Sequence, residues 1–511
     1  MYHYLVDSVR KSSVLLILLA STLGALGESF SILWFCAPIG LTLFFVDIWH
    51  TAKNKTSAAW RGFLFGIATA GAGIVWFWDT IPLNWLHVSD PWIEGLAVGS
   101  MWFMASASMA LATALTAVLL FLIRKSRFGP LSAAFLWTLE GHGRMWGFAL
   151  ITLGRESLFG PHFSVTSLGY TLAENPYLLQ FSRLGGITVL DFVVGFLAAC
   201  AATLLLGNKH SPKHVVEVAC AGALLLCVPA FLTVPAPSQN TSNPFKVTIA
   251  SPVAPIDDSY NAGRVRLLME EIAAQGEPYP DMIVVPEGFS LDQAYSSIEL
   301  HDSVLNLFKG KDILIVNSEY RSVTETEGTT SYDRYIAPTK PGSVEHATLY
   351  YYSTVHGKIA SYAKMFLMPL GEYQPYTTSP VLSLFGDPEI DQYLTRLRSL
   401  VRGSETVAVP WNGKIVGALL CSESISPYLF HDLAANKGAS VLVELFNPAW
   451  FRGSRTLSEK MEQIGKVHAV RNRAWYLQSA NASPSFIIDP TGRVVTRSDG
   501  HTVSFLSTTI P

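Results

Sequence analysis

A multi-span α-helical membrane bundle followed by an α/β domain is the fold class that the sequence predicts, and three observations predict it. Of the 511 residues 50% are hydrophobic and only 15% charged, whereas soluble domains average roughly one-quarter charged. From Val14 to Val234 long apolar runs succeed one another with short polar gaps. After Pro244 the pattern changes to short, β-branched apolar runs alternating with amphipathic stretches. The expected organisation is a transmembrane domain over 1–235, a linker over 236–244 and a globular domain over 245–511.

Membrane-spanning helices need about 20 mostly apolar residues. Seven segments read as spans: Ser12 to Leu26, Phe30 to Ile48, Trp60 to Trp78, Trp92 to Ile123, Phe128 to Leu150, Ile187 to Gly207 and Val215 to Val234. Arg10 and Lys11 before the first run look like the start of a secretory leader, but further spans follow at once, which favours an uncleaved helix. Basic residues cluster at alternate ends of the spans: Arg10 and Lys11; Lys53, Lys55 and Arg61; Arg124, Lys125 and Arg127; Lys209 and Lys213. The other loops carry Glu28, Asp79, Asp90 and Glu94. Positive charge stays on the cytoplasmic side, so the N-terminus is expected inside and everything after Pro235 outside. The polar stretch from Arg144 to Arg183 is the long outer loop, expected to pack under the outer domain.

In the second half, Phe245 to Ala250, Met282 to Val285, Ile313 to Val316, Ile415 to Leu420 and Val441 to Phe446 read as buried strands. Arg264 to Ala274 and Pro427 to Asn436 read as helices, the latter with Ser426 as N-cap and Pro427 at its first position. Phe486 to Val495 reads as a hairpin around Asp489-Pro-Thr-Gly492, and Arg321 to His346 as an exposed insertion. The net charge of -3 argues against a nucleic-acid partner.

Four cysteines, Cys36, Cys200, Cys220 and Cys227, fall in apolar runs, while Cys421 alone stands in the polar half. An internal disulfide is therefore not available to it there. Cys421 ends an apolar strand; Glu287 follows Val285 and Pro286 at the exit of another; Lys364 opens a loop that reaches Glu372. A thiol, a carboxylate and an ammonium are the groups that acyl transfer through a thioester uses. The thiol needs a base, for which Glu287 serves, and the oxyanion needs a fixed cation, for which Lys364 serves. Glu372 and Glu423 are further carboxylates that would orient Lys364 or assist the departing group. Taken singly, each also has a structural reading, as core cysteine, helix-start acid or solvated charge.

The wording around these residues adds to that reading. Pro286-Glu287, Lys364-Met-Phe-Leu-Met-Pro-Leu-Gly-Glu372-Tyr373 and Cys421-Ser-Glu423, in this order, resemble the glutamate, lysine and cysteine motifs of the nitrilase superfamily. The lysine motif, the segment Val443-Glu-Leu-Phe-Asn447-Pro-Ala-Trp450-Phe451, and Leu168-Gly-Tyr170 with Pro176 and Gln180 look specifically like the apolipoprotein N-acyltransferase family. Against that pattern Ser422 stands for a tyrosine, Glu444 for an asparagine and Pro448 for an aspartate. The resemblance implies an αββα nitrilase-like sandwich on the membrane bundle, with Glu287, Lys364 and Cys421 catalytic and Glu372, Glu423, Ser422 and Trp450 supporting. It implies ping-pong transfer from a membrane phospholipid, typically phosphatidylethanolamine, to the α-amino group of a diacylated apolipoprotein. It also implies a bacterial inner-membrane location with the catalytic domain on the extracytoplasmic side, and neither cofactor nor metal. Two other readings use the same residues: a membrane-tethered amidase in which water resolves the thioester, and a non-catalytic nitrilase-like module.

Overall fold

The structure, a computed structural model, describes residues 13–83, 90–124, 126, 129–206, 212–232, 244–255, 262–295, 299–323, 345–378 and 400–511. Arg10, Lys11, Lys125, Arg127 and Lys209, residues 236–243 of the expected linker and 324–344 of the expected insertion lie outside them.

Each apolar run of the first half forms a helix: α1 Ser13–Ser29, α2 Cys36–His50, α3 Lys55–Gly73, α4 Pro91–Ile123, α5 Gly129–Ile151, α6 Ile187–Leu205 and α7 Pro212–Leu232. Asn54 and Asp90 cap α3 and α4 by accepting from the Ser57 and Trp92 amides. Two of the helices, α4 and α6, are long and apolar enough to cross a membrane by length and composition. Tight packing needs small residues: a Cβ on Gly40 of α2 would lie 2.6 Å from the Gly24 nitrogen of α1. Phe44 stacks on Phe65 at 4.4 Å in the same interior.

Several charges expected in loops are instead inside the bundle. Arg61 lies within α3 and binds Asp47 at 2.6 Å, and Glu94 lies within α4 and accepts from the Leu83 amide at 2.6 Å. Arg144 belongs to α5, paired with Glu140 and donating to the Thr166 carbonyl at 3.0 Å. Such buried charges persist only when paired. The long connection therefore starts after Ile151. It runs through short 3₁₀ turns at Leu168–Glu174 and Gln180–Leu184 and lies against the second half, as Gln180 to the Thr491 carbonyl (3.1 Å) and Ser164 to the Ile425 carbonyl (2.6 Å) show.

The second half is a sandwich of two sheets. The first comprises β1 Phe245–Ser251, β2 Met282–Val284, β3 Leu314–Val323, β4 Glu345–Ser353, β5 Gly357–Ala363 and β12 Ser504–Ile510, in the order β12-β1-β2-β3-β4-β5. The second comprises β6 Ala408–Trp411, β7 Lys414–Leu420, β8 Val441–Phe446, β9 Trp475–Ala480, β10 Phe486–Ile488 and β11 Val494–Arg497, in the order β11-β10-β9-β8-β7-β6. The centre of each, β1-β2-β3 and β7-β8-β9, is parallel, which explains the runs buried on both faces.

Alternation assigns the faces. Val247, Ile249, Met282, Val284, Leu314 and Val316 point to the shared core between the sheets. Ala250, Ile283, Val285 and Ile315 point the other way, onto Val265 and Met269 of α8 Ala262–Ala274, Val304 of α9 Glu299–Leu307 and Phe308 just after it. On the far side α10 Leu429–Ala435 and α11 Arg455–Asn472 cover the second sheet. The hairpin β10–β11 forms as expected around Asp489, which accepts from the Thr491 amide at 2.9 Å. Helix α10 differs from expectation. It starts at Leu429, after a turn in which the Ser426 hydroxyl accepts from the Tyr428 amide at 3.3 Å and also meets His162 at 2.9 Å.

Candidate active site

β7 delivers Cys421 at its C-terminal end, where the parallel strands of a layered fold open into loops. The residue takes φ +45°, left-handed for a non-glycine, a strained conformation that survives only where the surroundings over-determine it. A 3₁₀ turn over Cys421–Ile425 follows.

Glu423, fully buried, provides much of that determination. One oxygen accepts from the Leu420 amide at 2.9 Å; the other accepts from the Met365 and Phe366 amides at 2.7 and 3.2 Å and from the Tyr362 hydroxyl. The Ser422 hydroxyl donates to the Phe366 carbonyl at 2.6 Å. Together these bonds clamp the cysteine turn onto the segment that carries the lysine. Glu423 is occupied in this way and its bonds do not reach Lys364, so of the two expected orienting carboxylates it is Glu372 that contacts the ammonium.

Lys364 directly follows β5. Its ammonium donates to Glu287 at 3.1 Å and to Glu372 at 2.8 Å, and all three residues are buried. The second oxygen of Glu372 accepts from the Met368 amide at 2.6 Å, and Leu370 at φ +68° closes the tight turn between them. Glu287 follows β2, with its carbonyl held by the Asn447 amide group at 3.1 Å. The Cys421 thiol lies near enough to the Glu287 carboxyl for each to shift the other's protonation. Cys421 as a residue is partly exposed, whereas Glu287, Lys364 and Glu372 are buried. Trp450 is partly exposed on the turn Pro448–Phe451 after β8.

The electrostatics follow from burial. Burial pushes the Glu287 carboxyl up, Lys364 draws it back and Glu372 adds to the rise. Burial alone would lower Lys364, but the two carboxylates outweigh it and hold the ammonium well above its usual range. Burial and then Glu287 push the Cys421 thiol well above its usual range, with Lys364 opposing them. The resting group is thus a neutral thiol beside a carboxyl poised to take its proton and a cation that stays charged.

Comparisons with known proteins give the family. A family model described as carbon-nitrogen hydrolase matches residues 247–511, just over half of the chain. The chain belongs to the carbon-nitrogen hydrolase family. Residues 20–200 match the apolipoprotein N-acyltransferase N-terminal domain. Within the carbon-nitrogen hydrolases the chain is thus a divergent relative of the apolipoprotein N-acyltransferases. The apolipoprotein N-acyltransferase of Pseudomonas putida is 23% identical over 94% of this chain and 86% of its own length. That of Agrobacterium fabrum is 24% identical over 81% and 78%. The Aquifex aeolicus protein of the same name is 27% identical over 49% of this chain, and that alignment takes in only 51% of its length. Among solved structures, the amidase of Nesterenkonia sp. AN1 is similar at 16% identity and TM-score 0.35, over 54% of this chain and 94% of that one.

Sequence reading missed one layer of the site. Behind the cysteine turn, Glu444 of β8 accepts from Tyr476 of β9 and lies 2.6 Å from the Ser424 hydroxyl, and His468 of α11 contacts the Ser424 carbonyl at 2.7 Å. The available signal was an acid inside the run Val441 to Phe446, since a carboxyl in a strand buried on both faces requires partners.

Proposed function

We propose that the chain is an apolipoprotein N-acyltransferase that carries an acyl group on Cys421. The observation that carries this reading is the buried Glu287–Lys364–Glu372 cluster against a thiol at a strained turn, in a chain whose front part matches the acyltransferase N-terminal domain.

Glu287 takes the thiol proton as the sulfur attacks the ester carbonyl of a phospholipid, phosphatidylethanolamine being the expected donor. A C–S bond forms, and the oxyanion faces Lys364 and the backbone N–H after Cys421. Collapse breaks the ester C–O bond, and the proton on Glu287 passes to the departing lysophospholipid alkoxide. The α-amino group of a diacylglyceryl-cysteine then attacks the thioester. A C–N bond forms, the C–S bond breaks, and the amine proton returns through Glu287 to the sulfur. Glu372 holds the lysine, while Ser422 and Glu423 hold the turn. Trp450, partly exposed on the turn after β8, is assigned to substrate contact.

Both substrates are lipids or lipid-anchored, so a catalytic domain tied to a membrane platform raises their effective concentration. The helical half suits lipid. Leu111, Leu115, Leu139 and Phe231 are 64%, 62%, 64% and 88% exposed on its surface, and large apolar faces of this kind need a covering. We assign α1 to α7 as seven spans of a bacterial inner membrane, with residues 1–235 as the membrane domain and 245–511 extracytoplasmic.

Intact-mass measurement of the purified chain mixed with phosphatidylethanolamine tests the mechanism. An acyl adduct on the wild type that is absent from Cys421→Ala is expected; an equal adduct on the variant removes the thioester. Adding a diacylated lipopeptide with a free amine should then give N-acylated peptide, and release of free fatty acid alone would identify an amidase.

A further inference from the structure

Glu444 is a buried acid that the proposed chemistry leaves without a task. It is 0% exposed on β8. One carboxyl oxygen accepts from the Tyr476 hydroxyl, and the other is 2.6 Å from the Ser424 hydroxyl oxygen. That same hydroxyl oxygen is 2.9 Å from the carbonyl oxygen of Cys421.

A hydroxyl has one hydrogen to donate, and a carbonyl oxygen can only accept. If the Ser424 hydrogen points to Cys421, the contact with Glu444 must be made by a hydrogen on the carboxyl. One arrangement satisfies all three contacts: Tyr476 donates to Glu444, neutral Glu444 donates to Ser424, and Ser424 donates to the Cys421 carbonyl. His468 fits it as a neutral ring whose Nε2–H donates to the Ser424 carbonyl at 2.7 Å. With Glu444 ionised, the single Ser424 hydrogen is drawn to the carboxylate and the Cys421 carbonyl loses it.

We propose that Glu444 is a positioning residue: as a neutral acid it holds the Cys421 turn through Ser424, and its ionisation releases that hold and slows acylation of the thiol. This rests on the thioester reading above. Acting on the carboxyl are Tyr476 from β9 and Glu287, Lys364 and Cys421 from the site, while His468 of α11 stacks on Tyr476. Burial pushes Glu444 up to about 7, with the Ser424 and Tyr476 hydrogen bonds opposing, Glu287 reinforcing and Lys364 opposing. Neutral acid therefore prevails on the acid side of neutrality and carboxylate on the alkaline side, its proton passing to solvent base. The new negative charge also raises the thiol further, which slows acylation in the same direction.

The test measures the rate of acyl-adduct formation on the full chain in phosphatidylethanolamine-containing micelles, from well below to well above neutrality. Wild type, Glu444→Gln and Ser424→Ala are compared, with melting temperatures to confirm that each is folded. The wild-type rate should fall as pH rises through about 7. Glu444→Gln can still donate to Ser424 and cannot ionise, so it should keep the acid-side rate and lose the fall. Ser424→Ala should be slower throughout, by about tenfold for one lost hydrogen bond, with the fall reduced to the part that the Glu444 charge exerts directly on the thiol. A fall in Glu444→Gln equal to that of the wild type overturns the inference alone. No adduct on the wild type at any pH overturns the thioester reading beneath it. Difference infrared spectra separate the two cases without turnover. A protonated carboxyl band below neutrality, absent from Glu444→Gln, supports the neutral acid; a wild type lacking that band overturns it.

Discussion

Cys421 stands between two opposing fields. Burial and Glu287 keep its proton on, while Lys364 favours its loss. Removal of the Cys421 proton should therefore depend on Glu287 more than on direct ionisation of the thiol in solvent. Glu287→Gln, which keeps the shape and removes the basicity, is expected to slow adduct formation by about 10²–10⁴-fold with little change in melting temperature; an unchanged rate would remove Glu287 as the base. His468 gives a prediction of stability against pH. Burial lowers it from 6.5 to about 4, so below 6.5 the unfolded chain binds a proton that the folded chain refuses. Stability is lost as pH falls from 6.5 toward 4, by up to roughly 3 kcal/mol, and levels off below. Glu444 has the opposite sign: its folded-state carboxyl is raised, so its contribution is complete at low pH and is lost as pH rises toward 7. In a Glu444→Gln background, melting against pH should show the acid-side loss, and His468→Gln should flatten it.

At the scale of elements, the site is made where strand ends meet: β2 supplies Glu287, β5 Lys364 and β7 Cys421. The approach of residues 401–403 to β5 fixes the lysine. Gly403 donates its amide to the Lys364 carbonyl at 2.8 Å, and a Cβ on it would lie 2.1 Å from the Ala363 carbonyl oxygen. Gly403→Ala must push that strand end away. An expected cost of about 1–3 kcal/mol should appear as a lower melting temperature together with slower acylation; wild-type values of both would show that the strand end does not depend on this approach. Strand identity was legible where runs were apolar and β-branched, as in Ile415 to Leu420. It was not legible for β4, whose Glu345–Ser353 run contains His346 and three consecutive tyrosines, because its burial comes from neighbours on both faces rather than from its own pattern. The start of α10 was placed two residues early: Ser426 does accept from the Tyr428 amide, but regular helix begins only at Leu429.

Over the whole molecule, the two halves are joined by buried polar contacts. Lys460 of α11 donates to Glu28 of α1 at 2.9 Å, with the two side chains 3% and 0% exposed. Trp76 meets Phe451 edge-on at 4.8 Å, and Tyr373 in the lysine turn donates to the Thr152 carbonyl at 2.7 Å. Breaking a buried pair leaves an uncompensated charge, so Lys460→Met should destabilise the chain by about 3–5 kcal/mol. The double variant with Glu28→Gln should recover part of that, because neither charge then remains. Thermal unfolding in detergent checks both; equal losses in the single and double variants would show that the charges are not coupled.

The residue types of the chemistry, the change of pattern near Pro244 and the seven apolar runs were determined by the sequence alone, since composition and periodicity are local properties. Only the tertiary structure decided which carboxylate meets which partner. Glu372 rather than Glu423 reaches Lys364, Arg61 and Arg144 turn inward, and Glu444 stands behind the Cys421 turn. The physical reason is that a buried charge is defined by neighbours far away in sequence. Local pattern shows that Glu444 needs partners; Ser424, 20 residues earlier, and Tyr476, 32 residues later, are brought to it by the parallel pairing of β7, β8 and β9.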